Sequence, residues 1–489
     1  MFKFRSLGHY CFVHHRNKYS FSKVIKKTTI PNQIEHIGEP LITCKRPEFN
    51  LHRGDYRNEN ALFGTLKLCS DGWHHYKAKD DFFTIHPHMM AEDELQNRDH
   101  EKTFDTFGID KRLQLNLADR LNVMKTTFIQ NEAIPKILLN HHTLIAAETG
   151  CGKTLAYLIP ILENLLKLKQ SADNNQTVSE FNTPRVLIIT PSRELAAQIG
   201  EVCENVCHNL NINTQVLIGG HTKSIMKDPP IAEIDVLVAT IGALSKLITT
   251  KIYRMHEVRH VVLDEADTLL DDSFKGKLQY VLRRFPFYKN VQEDDPSEVA
   301  TQLVLASATM PTNVDESLQL IVDPSTIHAA VSPYLHKVMP HITQKFIRTR
   351  KSLRQIELLS LVKHDLERKR PKFQSGLVNV LATTDLASRG LDTTRACHVI
   401  NFDFPMYISD YIHRCGRIGR FTSAKNCKVT NFITGLHELD LVRQIEHTVR
   451  TKGILPNVDA NVHRMITQKM INEMEKEEKV FMDHLKSQE

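Results

Sequence analysis

The segment from Ala147 to Thr154 has the residue types of a phosphate-binding loop. It follows an apolar run, precedes a helical pattern, and consists of Ala147, Glu148, Thr149, Gly150, Cys151, Gly152, Lys153 and Thr154. The glycines allow backbone N–H groups to wrap around a phosphate at the positive N-terminal end of the following helix. We expect Lys153 to reach the β and γ phosphates of a nucleotide and the Thr154 hydroxyl to hold Mg²⁺.

A pair of acids provides the second half of this candidate site. Asp264 and Glu265 directly follow the apolar residues 261–263, and the carboxyl end of a strand is where open α/β sheets bind ligands. We expect Asp264 to hold Mg²⁺ and Glu265 to orient and activate an attacking water. An exposed acidic turn is the alternative, but it does not explain why the acids follow an apolar strand in a chain that has a phosphate-binding loop.

Short apolar runs alternate with helical patterns over much of the chain. The predicted buried strands are residues 143–146, 186–190, 214–218, 236–239, 261–263 and 303–306 in a first series, and 378–382, 398–401 and 428–432 in a second. Periodic segments such as 155–169 and 194–210 lie between the strands of the first series and predict helices. This alternation predicts an α/β fold with parallel sheets and helices on both faces.

The residues Asp264, Glu265, Ala266 and Asp267 spell the signature of the DEAD-box RNA helicases, and the chain resembles that family from about Phe104 to Leu441. The other matching motifs follow in the family's order: Phe104 with Gln130, 191–195, 219–220, 240–243, 307–309, 385–392 and 413–420. The resemblance implies two RecA-like domains in tandem and an ATP-dependent RNA helicase that uses Mg²⁺. It also implies RNA contacts that run mostly to the sugar–phosphate backbone, with little sequence specificity and strong salt dependence.

The resemblance carries roles onto individual residues. Besides the phosphate-binding loop and the two acids, the implied nucleotide contacts are Phe104, Gln130, Gly390, Asp392, Arg417 and Arg420. The implied RNA contacts are Pro191, Ser192, Arg193, Glu194, Gly219, Gly220, Thr240, Gly242, Thr384 and Arg389, and the implied coupling residues are Asp267, Ser307, Thr309 and His413. Arg417 and Arg420 would act as arginine fingers from the second domain, so hydrolysis should require the two domains to close.

Finer details resemble a mitochondrial DEAD-box branch that is associated with assembly of the large ribosomal subunit. These details are Ala243 in the motif 240–243, the reading DEADTLLD at 264–271, and Trp73 followed by the stretch 82–85. The motif 240–243 lacks the family's usual Pro and Arg, and loss of that Arg should weaken one backbone contact. The chain therefore resembles this branch while departing from the general family at one RNA-contacting motif.

The second domain is shorter than the resemblance requires. Only 26 residues separate Phe346 from Phe373, and the family's motif IV and Gln-x-x-Arg motif are not found among them. A single β-α-β unit needs about 30 residues, so this interval cannot hold one, and the second sheet should lose inner strands and expose unpaired edges. Either the chain has a damaged second domain, or the sequence lacks an internal segment through splicing or mis-assembly; the family-like restart at Phe373 favours the latter.

The composition restricts the classes of protein to which the chain can belong. The 489 residues include 63 Lys and Arg against 57 Asp and Glu, a formal net charge of +6, and 41% are hydrophobic, which is ordinary for a globular protein. The nine cysteines form no CxxC pair, so a zinc ribbon is not expected, and their irregular spacing fits reduced thiols. The most apolar stretch, 155–168, is interrupted by polar residues, which predicts no membrane partner.

The first 34 residues contain seven Lys and Arg but no Asp or Glu, which is typical of a mitochondrial transit peptide. A basic tail that touches nucleic acid, or nothing, is the alternative. We therefore predict a transit peptide at 1–34, an irregular extension at 35–100, an ATP-binding RecA-like domain at 101–332, a truncated second RecA-like domain at 333–450, and a charged helical tail at 451–489. The predicted location is the mitochondrial matrix, with a nuclear pool as an additional candidate.

Three functions compete on these observations. The leading one is an RNA-dependent ATPase that separates short duplexes or remodels ribonucleoprotein, with mitochondrial ribosomal RNA and assembly proteins as candidate partners. The second is a catalytically impaired ATP- and RNA-binding assembly factor, which the missing segment motivates. A DNA helicase is the third, and it is disfavoured because the acidic motif and Gln130 together resemble the RNA branch.

Overall fold

Two β-sheets carry the fold in the parts of the chain that the structure describes. The computed structural model describes residues 39–53, 66–87, 102–174, 180–220, 222–228, 231–270, 272–287, 300–309, 318, 321–368, 380–384, 396–419, 427–456 and 458. A seven-stranded sheet belongs to the first predicted domain and a six-stranded sheet to the second.

The regular elements are numbered in chain order. The strands are β1 (Pro40–Cys44), β2 (Leu51–His52), β3 (Phe82–Ile85), β4 (Thr143–Ala146), β5 (Val186–Thr190), β6 (Thr214–Leu217), β7 (Val236–Thr240), β8 (His260–Asp264), β9 (Gln302–Ser307), β10 (His328–Val331), β11 (Thr343–Arg348), β12 (His398–Asn401) and β13 (Lys428–Ile433). The α-helices are α1 (Lys111–Leu121), α2 (Phe128–Leu138), α3 (Lys153–Asn174), α4 (Arg193–Val206), α5 (Thr222–Lys227), α6 (Ile241–Thr249), α7 (Ala266–Leu269), α8 (Asp272–Leu282), α9 (Arg354–Arg368), α10 (Ile408–Cys415) and α11 (Leu439–Thr451).

The first sheet is wholly parallel, with the strand order β10-β4-β9-β8-β5-β7-β6. Successive residues of β5 enter opposite cores: Val186 and Ile188 pack in one hydrophobic cluster, Leu187 and Ile189 in another. Burial of both faces explains why these strands read as continuous apolar runs rather than alternating patterns. The six strands predicted for the first series, and the two helices predicted between them, are confirmed.

The order of the first sheet brings distant motifs together. Strands β4, β9 and β8 are neighbours, so the phosphate-binding loop after β4, Ser307 at the end of β9 and Asp264 at the end of β8 meet at one edge. All three lie at the carboxyl edge because the strands are parallel. This edge is where a ligand of an open α/β sheet is expected.

The second sheet has the order β12-β13-β11-β3-β1-β2, and half of its strands come from the segment before the first domain. Strands β11 to β13 are parallel, whereas β3 pairs antiparallel with β11, so that Phe83 lies opposite Phe346. Their rings stack with centroids 4.7 Å apart. The prediction of an irregular extension at 35–100 is wrong for these strands. Strand β1 pairs with β2 and β3, and β3 joins them to the sheet through β11, which is more than 200 residues away and leaves no local trace.

The N-terminal strands are anchored in the core of the second domain. Trp73 is fully buried and donates from Nε1 to Asp81 Oδ2 at 3.0 Å. Glu446 of α11, also fully buried, accepts from the backbone N–H of Cys69 at 2.7 Å and of Ser70 at 2.9 Å. It is paired with Arg450 at 2.9 Å as well. The extension is therefore an integral part of the second domain's packing.

The interval between β11 and β12 is short, and the second sheet differs there from the predicted one. Residues 380–384 contain no strand, so the prediction of a strand at 378–382 is wrong for that part. Strands β12 and β13 pair directly in parallel register, and β3 covers the free side of β11. The expected unpaired edge at β11 is therefore filled by the N-terminal segment.

Several predictions concern residues outside the described ranges. These are the transit peptide at 1–34, most of the tail at 451–489, and the site candidates Arg389, Gly390, Asp392 and Arg420. No helix in the described ranges is both long enough and apolar enough to cross a membrane.

Candidate nucleotide site

The phosphate-binding loop joins β4 to α3 and is held by its own lysine. Lys153 Nζ donates to the carbonyl oxygens of Ala147 at 2.6 Å and Glu148 at 2.8 Å. Gly150 and Gly152 have φ values of +84° and +94°, which only glycine adopts without strain. Burial raises the pKa of the Cys151 thiol to about 12, so this side chain is a neutral thiol and not a nucleophile.

Gln130 of α2 connects the start of that helix to the loop. Its Oε1 accepts from Thr127 N at 2.9 Å, and its Nε2 donates to Gly152 O at 3.1 Å. Thr127 Oγ1 donates to Cys151 O at 2.9 Å. A Cβ on Gly152 would collide with Gln130 Nε2, so the glycine permits this approach. Phe104 is buried in the core beneath these elements and is 2% exposed.

The two acids at the end of β8 have different environments. Asp264 accepts from Tyr157 Oη at 2.8 Å and from Glu265 N at 2.8 Å. Burial raises the pKa of Asp264, while the hydrogen bond from Tyr157 opposes that rise. Burial likewise raises the pKa of Glu265, which adopts the left-handed conformation with φ +52°. Among the described residues, Glu265 Oε2 has no hydrogen-bond partner although it is buried, so it is available to a bound group.

Asp267 of the acidic motif contacts residues from two other motifs. Its Oδ2 accepts from Thr309 N at 3.2 Å and Thr309 Oγ1 at 2.9 Å, and it lies 3.6 Å from His413 Nε2. Burial by itself would raise the pKa of Asp267, but hydrogen bonds from His413, Thr309 and Ser307 lower it below its ordinary value. The four residues predicted to couple the domains are therefore brought together.

Helix α10 of the second domain closes the site. Gly416 packs against Thr149 so tightly that a Cβ at position 416 would overlap the Thr149 side chain. Arg417 is 9% exposed, and its Nε donates to His413 O at 3.0 Å. Between the domains lies a cavity of about 300 Å³, lined by residues that include Gln130, Thr149, Gly150, Gly152, Lys153, Thr154, Asp264, Glu265, His413 and Arg417. A phosphate chain placed there faces a lysine, an arginine and two acids at once.

The RNA-contact candidates of the first domain lie at the same edge of the sheet but on other strands. Ser192 follows β5 and caps α4 by accepting from Leu195 N at 3.2 Å, while Thr240 ends β7 and precedes α6. Arg193 is exposed, and its guanidinium lies beside Gly219 and Gly220 after β6. Since β5, β7 and β6 are neighbours, these residues lie along one edge of the sheet, where Thr240 itself is buried. Pro191, Glu194 and Gly242 belong to the same segments, whereas Thr384 is exposed in the segment 380–384.

Sequence reasoning missed Tyr157 as a site residue. It lies four residues after Lys153 on α3, a spacing that places both side chains on one face of a helix. A tyrosine in an otherwise apolar stretch that enters the core must find a partner for its hydroxyl, and that was the available signal.

Comparison with known proteins agrees with this geometry. Residues 127–317 match the family described as DEAD/DEAH box helicase, and residues 343–422 match the helicase conserved C-terminal domain. The chain is 32% identical over 485 residues to "Probable ATP-dependent RNA helicase DDX28" of Mus musculus, and 31% identical over 484 residues to the Homo sapiens protein of that name. Each alignment covers 88% of this chain and 88% of the relative.

A solved structure shares the fold. Mss116p bound to single-stranded RNA and AMP-PNP superposes with a TM-score of 0.58 at 21% identity, over 71% of this chain and 77% of that chain. The two sheets and the cavity between them define a two-domain RecA-like nucleotide-binding enzyme. The chain belongs to the DEAD-box family of ATP-dependent RNA helicases, whose members are RNA-dependent ATPases.

Proposed function

We propose that ATP is hydrolysed in the cavity between the domains and that RNA stimulates the reaction by favouring domain closure. The energy would separate short RNA duplexes or remodel ribonucleoprotein. The observation that carries this proposal is the arrangement of the phosphate-binding loop, the acids 264–265, and the second-domain residues His413 and Arg417 around one cavity.

The residues of the first domain have distinct proposed roles. Gln130, which lines the cavity, receives the adenine, the loop and Lys153 bind the phosphates, and Glu265 orients and deprotonates the attacking water. The adenine contact of Phe104, which is buried in the core, remains a prediction from sequence. Thr154 and Asp264 would hold Mg²⁺; both line the cavity, and an oxygen-only pair suits this hard cation. The bound ion would neutralise charge on the β and γ phosphates. The buried, unpartnered Glu265 Oε2 supports a site built to receive a further group.

Residues of the second domain complete the proposed site. Arg417 would stabilise charge on the γ-phosphate as the domains close, an effect of roughly 10³–10⁵ in rate in other nucleotide hydrolases. The roles of Arg420, Gly390 and Asp392 in nucleotide binding remain predictions from sequence. So does the role of Arg389 in RNA binding.

RNA is proposed to lie along the edge formed after β5, β6 and β7. Exposed Arg193 next to Gly219 and Gly220 supplies a guanidinium for a phosphate where the absence of side chains permits close approach. Pro191, Ser192, Glu194 and Gly242 complete this surface, with Thr384 contributing from the second domain, while the RNA contact of the buried Thr240 remains a prediction from sequence. Binding should weaken steeply with salt and depend little on base sequence.

The cellular role proposed is assembly of the mitochondrial large ribosomal subunit. The acid-free basic leader and the branch-specific residues Ala243 and Trp73 support it. A fusion of residues 1–34 to a reporter should accumulate in mitochondria, and cross-linking of the full chain should recover mitochondrial large-subunit RNA. Recovery of cytosolic RNA alone, with a cytosolic reporter, would contradict this role while leaving the helicase activity intact.

The central experiment compares purified wild type with Lys153→Ala in phosphate release, with and without single-stranded RNA. Loss of the ammonium removes the contact to the β and γ phosphates, so hydrolysis should fall to background. The control is Lys167→Ala, which changes an exposed lysine further along α3 and should retain wild-type activity. An active Lys153→Ala enzyme would overturn the assignment of the site.

One observation favours a second candidate function. With 26 residues between Phe346 and Phe373, the second domain cannot hold the missing β-α-β unit, and β12 pairs directly with β13. In this view the chain is a catalytically impaired assembly factor that binds ATP and RNA. ATP binding without RNA-stimulated release would support it, whereas release that depends on RNA and on Arg417 supports the enzyme. Sequencing the transcript across the codons for residues 361–376 shows whether a segment is absent from the sequence itself.

A further inference from the structure

The Tyr157 hydroxyl is bonded to one of the two residues proposed to hold Mg²⁺. It donates to Asp264 Oδ2 at 2.8 Å, and Tyr157 lies three residues after Thr154, the other proposed ligand, on α3. Tyr157 is 0% exposed and Asp264 is 5% exposed. A buried hydrogen bond thus connects α3 to the end of β8, away from water.

This hydrogen bond helps to fix how the Asp264 carboxylate faces the cavity. Asp264 Oδ1 accepts from the Glu265 backbone N–H at 2.8 Å, and Oδ2 accepts from Tyr157, so the plane of the carboxylate is set by two donors. Each oxygen keeps a further lone pair for a cation or a metal-bound water.

We propose that Tyr157 is a positioning residue of the Mg²⁺ site, which holds Asp264 in ligand-ready orientation before the nucleotide and the cation arrive. This inference rests on the proposed function, because it assumes that Asp264 receives Mg²⁺. Groups that hydrogen-bond to metal ligands typically contribute about 10- to 100-fold to metal affinity. A tyrosine that merely filled the core would do so equally well without its hydroxyl.

The test replaces the hydroxyl and nothing else. Tyr157→Phe is compared with Tyr253→Phe, which removes another buried tyrosine hydroxyl of the first domain, 1% exposed and bonded to Gln215 Oε1 at 3.2 Å. The affinity of a fluorescent ATP analogue is measured over a range of Mg²⁺ concentrations and in EDTA. The half-saturating Mg²⁺ concentration should rise about tenfold in Tyr157→Phe, with unchanged binding in EDTA, and should not move in Tyr253→Phe.

A double variant separates positioning from stability. If Tyr157 acts through the carboxylate, adding Tyr157→Phe to Asp264→Asn should not raise the Mg²⁺ requirement further. An unchanged Mg²⁺ requirement in Tyr157→Phe would overturn the proposal, as would equal shifts in the two Tyr→Phe variants, which would indicate general destabilisation. A wild-type chain that binds the analogue without any dependence on Mg²⁺ would instead contradict the proposed metal site itself.

Discussion

His413 and Asp267 form a buried contact between the two domains: Nε2 and Oδ2 are 3.6 Å apart, and the side chains are 4% and 0% exposed. Asp267 belongs to the acidic motif after β8, and it also accepts two hydrogen bonds from Thr309 after β9. Movement of α10 would therefore displace groups just after β8 and β9, the two strands whose ends border the nucleotide cavity. This contact connects domain closure directly to the hydrolytic site.

Replacing His413 by Ala should uncouple closure from hydrolysis. Removal of the imidazole leaves the Asp267 carboxylate with Thr309 but without its second-domain partner, so RNA-stimulated ATP hydrolysis should fall about tenfold or more. Nucleotide binding, which uses the first domain, should persist. Steady-state phosphate release and analogue binding measure the two properties. The exposed His437→Ala variant is the control, and equal losses in both variants would argue against a specific contact.

Replacing Glu265 by Gln should trap the closed complex. The amide keeps the size of the side chain but cannot accept a proton from water, so hydrolysis should slow by about 10²–10⁴-fold. ATP and RNA should then remain bound together, and a filter-binding or fluorescence assay should show the complex accumulating. Glu201→Gln on the exposed side of α4 is a matched control. A rapidly dissociating complex in Glu265→Gln would count against the water-activating role.

Replacing Glu446 by Ala should destabilise the second domain strongly. The change leaves Arg450, which is 6% exposed, without its ion-pair partner and removes the acceptor of the Cys69 and Ser70 N–H groups. Breaking a buried pair in this way lowers the free energy of unfolding by about 3–5 kcal/mol. Arg443→Ala removes the more exposed pair with Asp71 and should change it by less than about 1 kcal/mol. Urea titrations that follow Trp73 fluorescence distinguish the two variants, and similar midpoints would refute the anchoring role.

His260 should make stability depend on pH. Burial lowers the pKa of its imidazole from 6.5 to about 4, against a raising effect of the hydrogen bond to Gln302 Oε1 at 2.8 Å. Between these values the unfolded chain binds a proton that the folded chain does not, so stability is lost as pH falls from about 6.5 to about 4. The loss from this residue is about 3 kcal/mol. Urea midpoints of His260→Asn should fall less steeply over this range than those of wild type or the exposed His208→Asn.

The first sheet and most of the site were predictable because their signals are local. Continuous apolar runs such as Val186–Thr190 identify strands that are buried on both faces. The motifs that follow these runs locate the candidate site residues at the carboxyl edge of the sheet. The sequence indicated that the Tyr157 hydroxyl needs a buried partner, but it did not identify that partner as Asp264, since the contact depends on the position of β8 beside α3. The strands β1 and β3 were missed for a similar reason: β3 joins the second sheet through its long-range pairing with β11, β1 joins it through β3, and propensity alone does not specify this pairing.

The pairing of β3 with β11 has a consequence for synthesis on the ribosome. Cys69 and Glu446 are hydrogen-bonded although they are 377 residues apart in the chain. The segment that holds β1 to β3 can therefore complete its packing only when nearly all of the polypeptide has been made. Residues of the first domain can fold in the meantime as an independent unit. Until β11 has been made, β3 presents a free edge that is open to pairing with other chains.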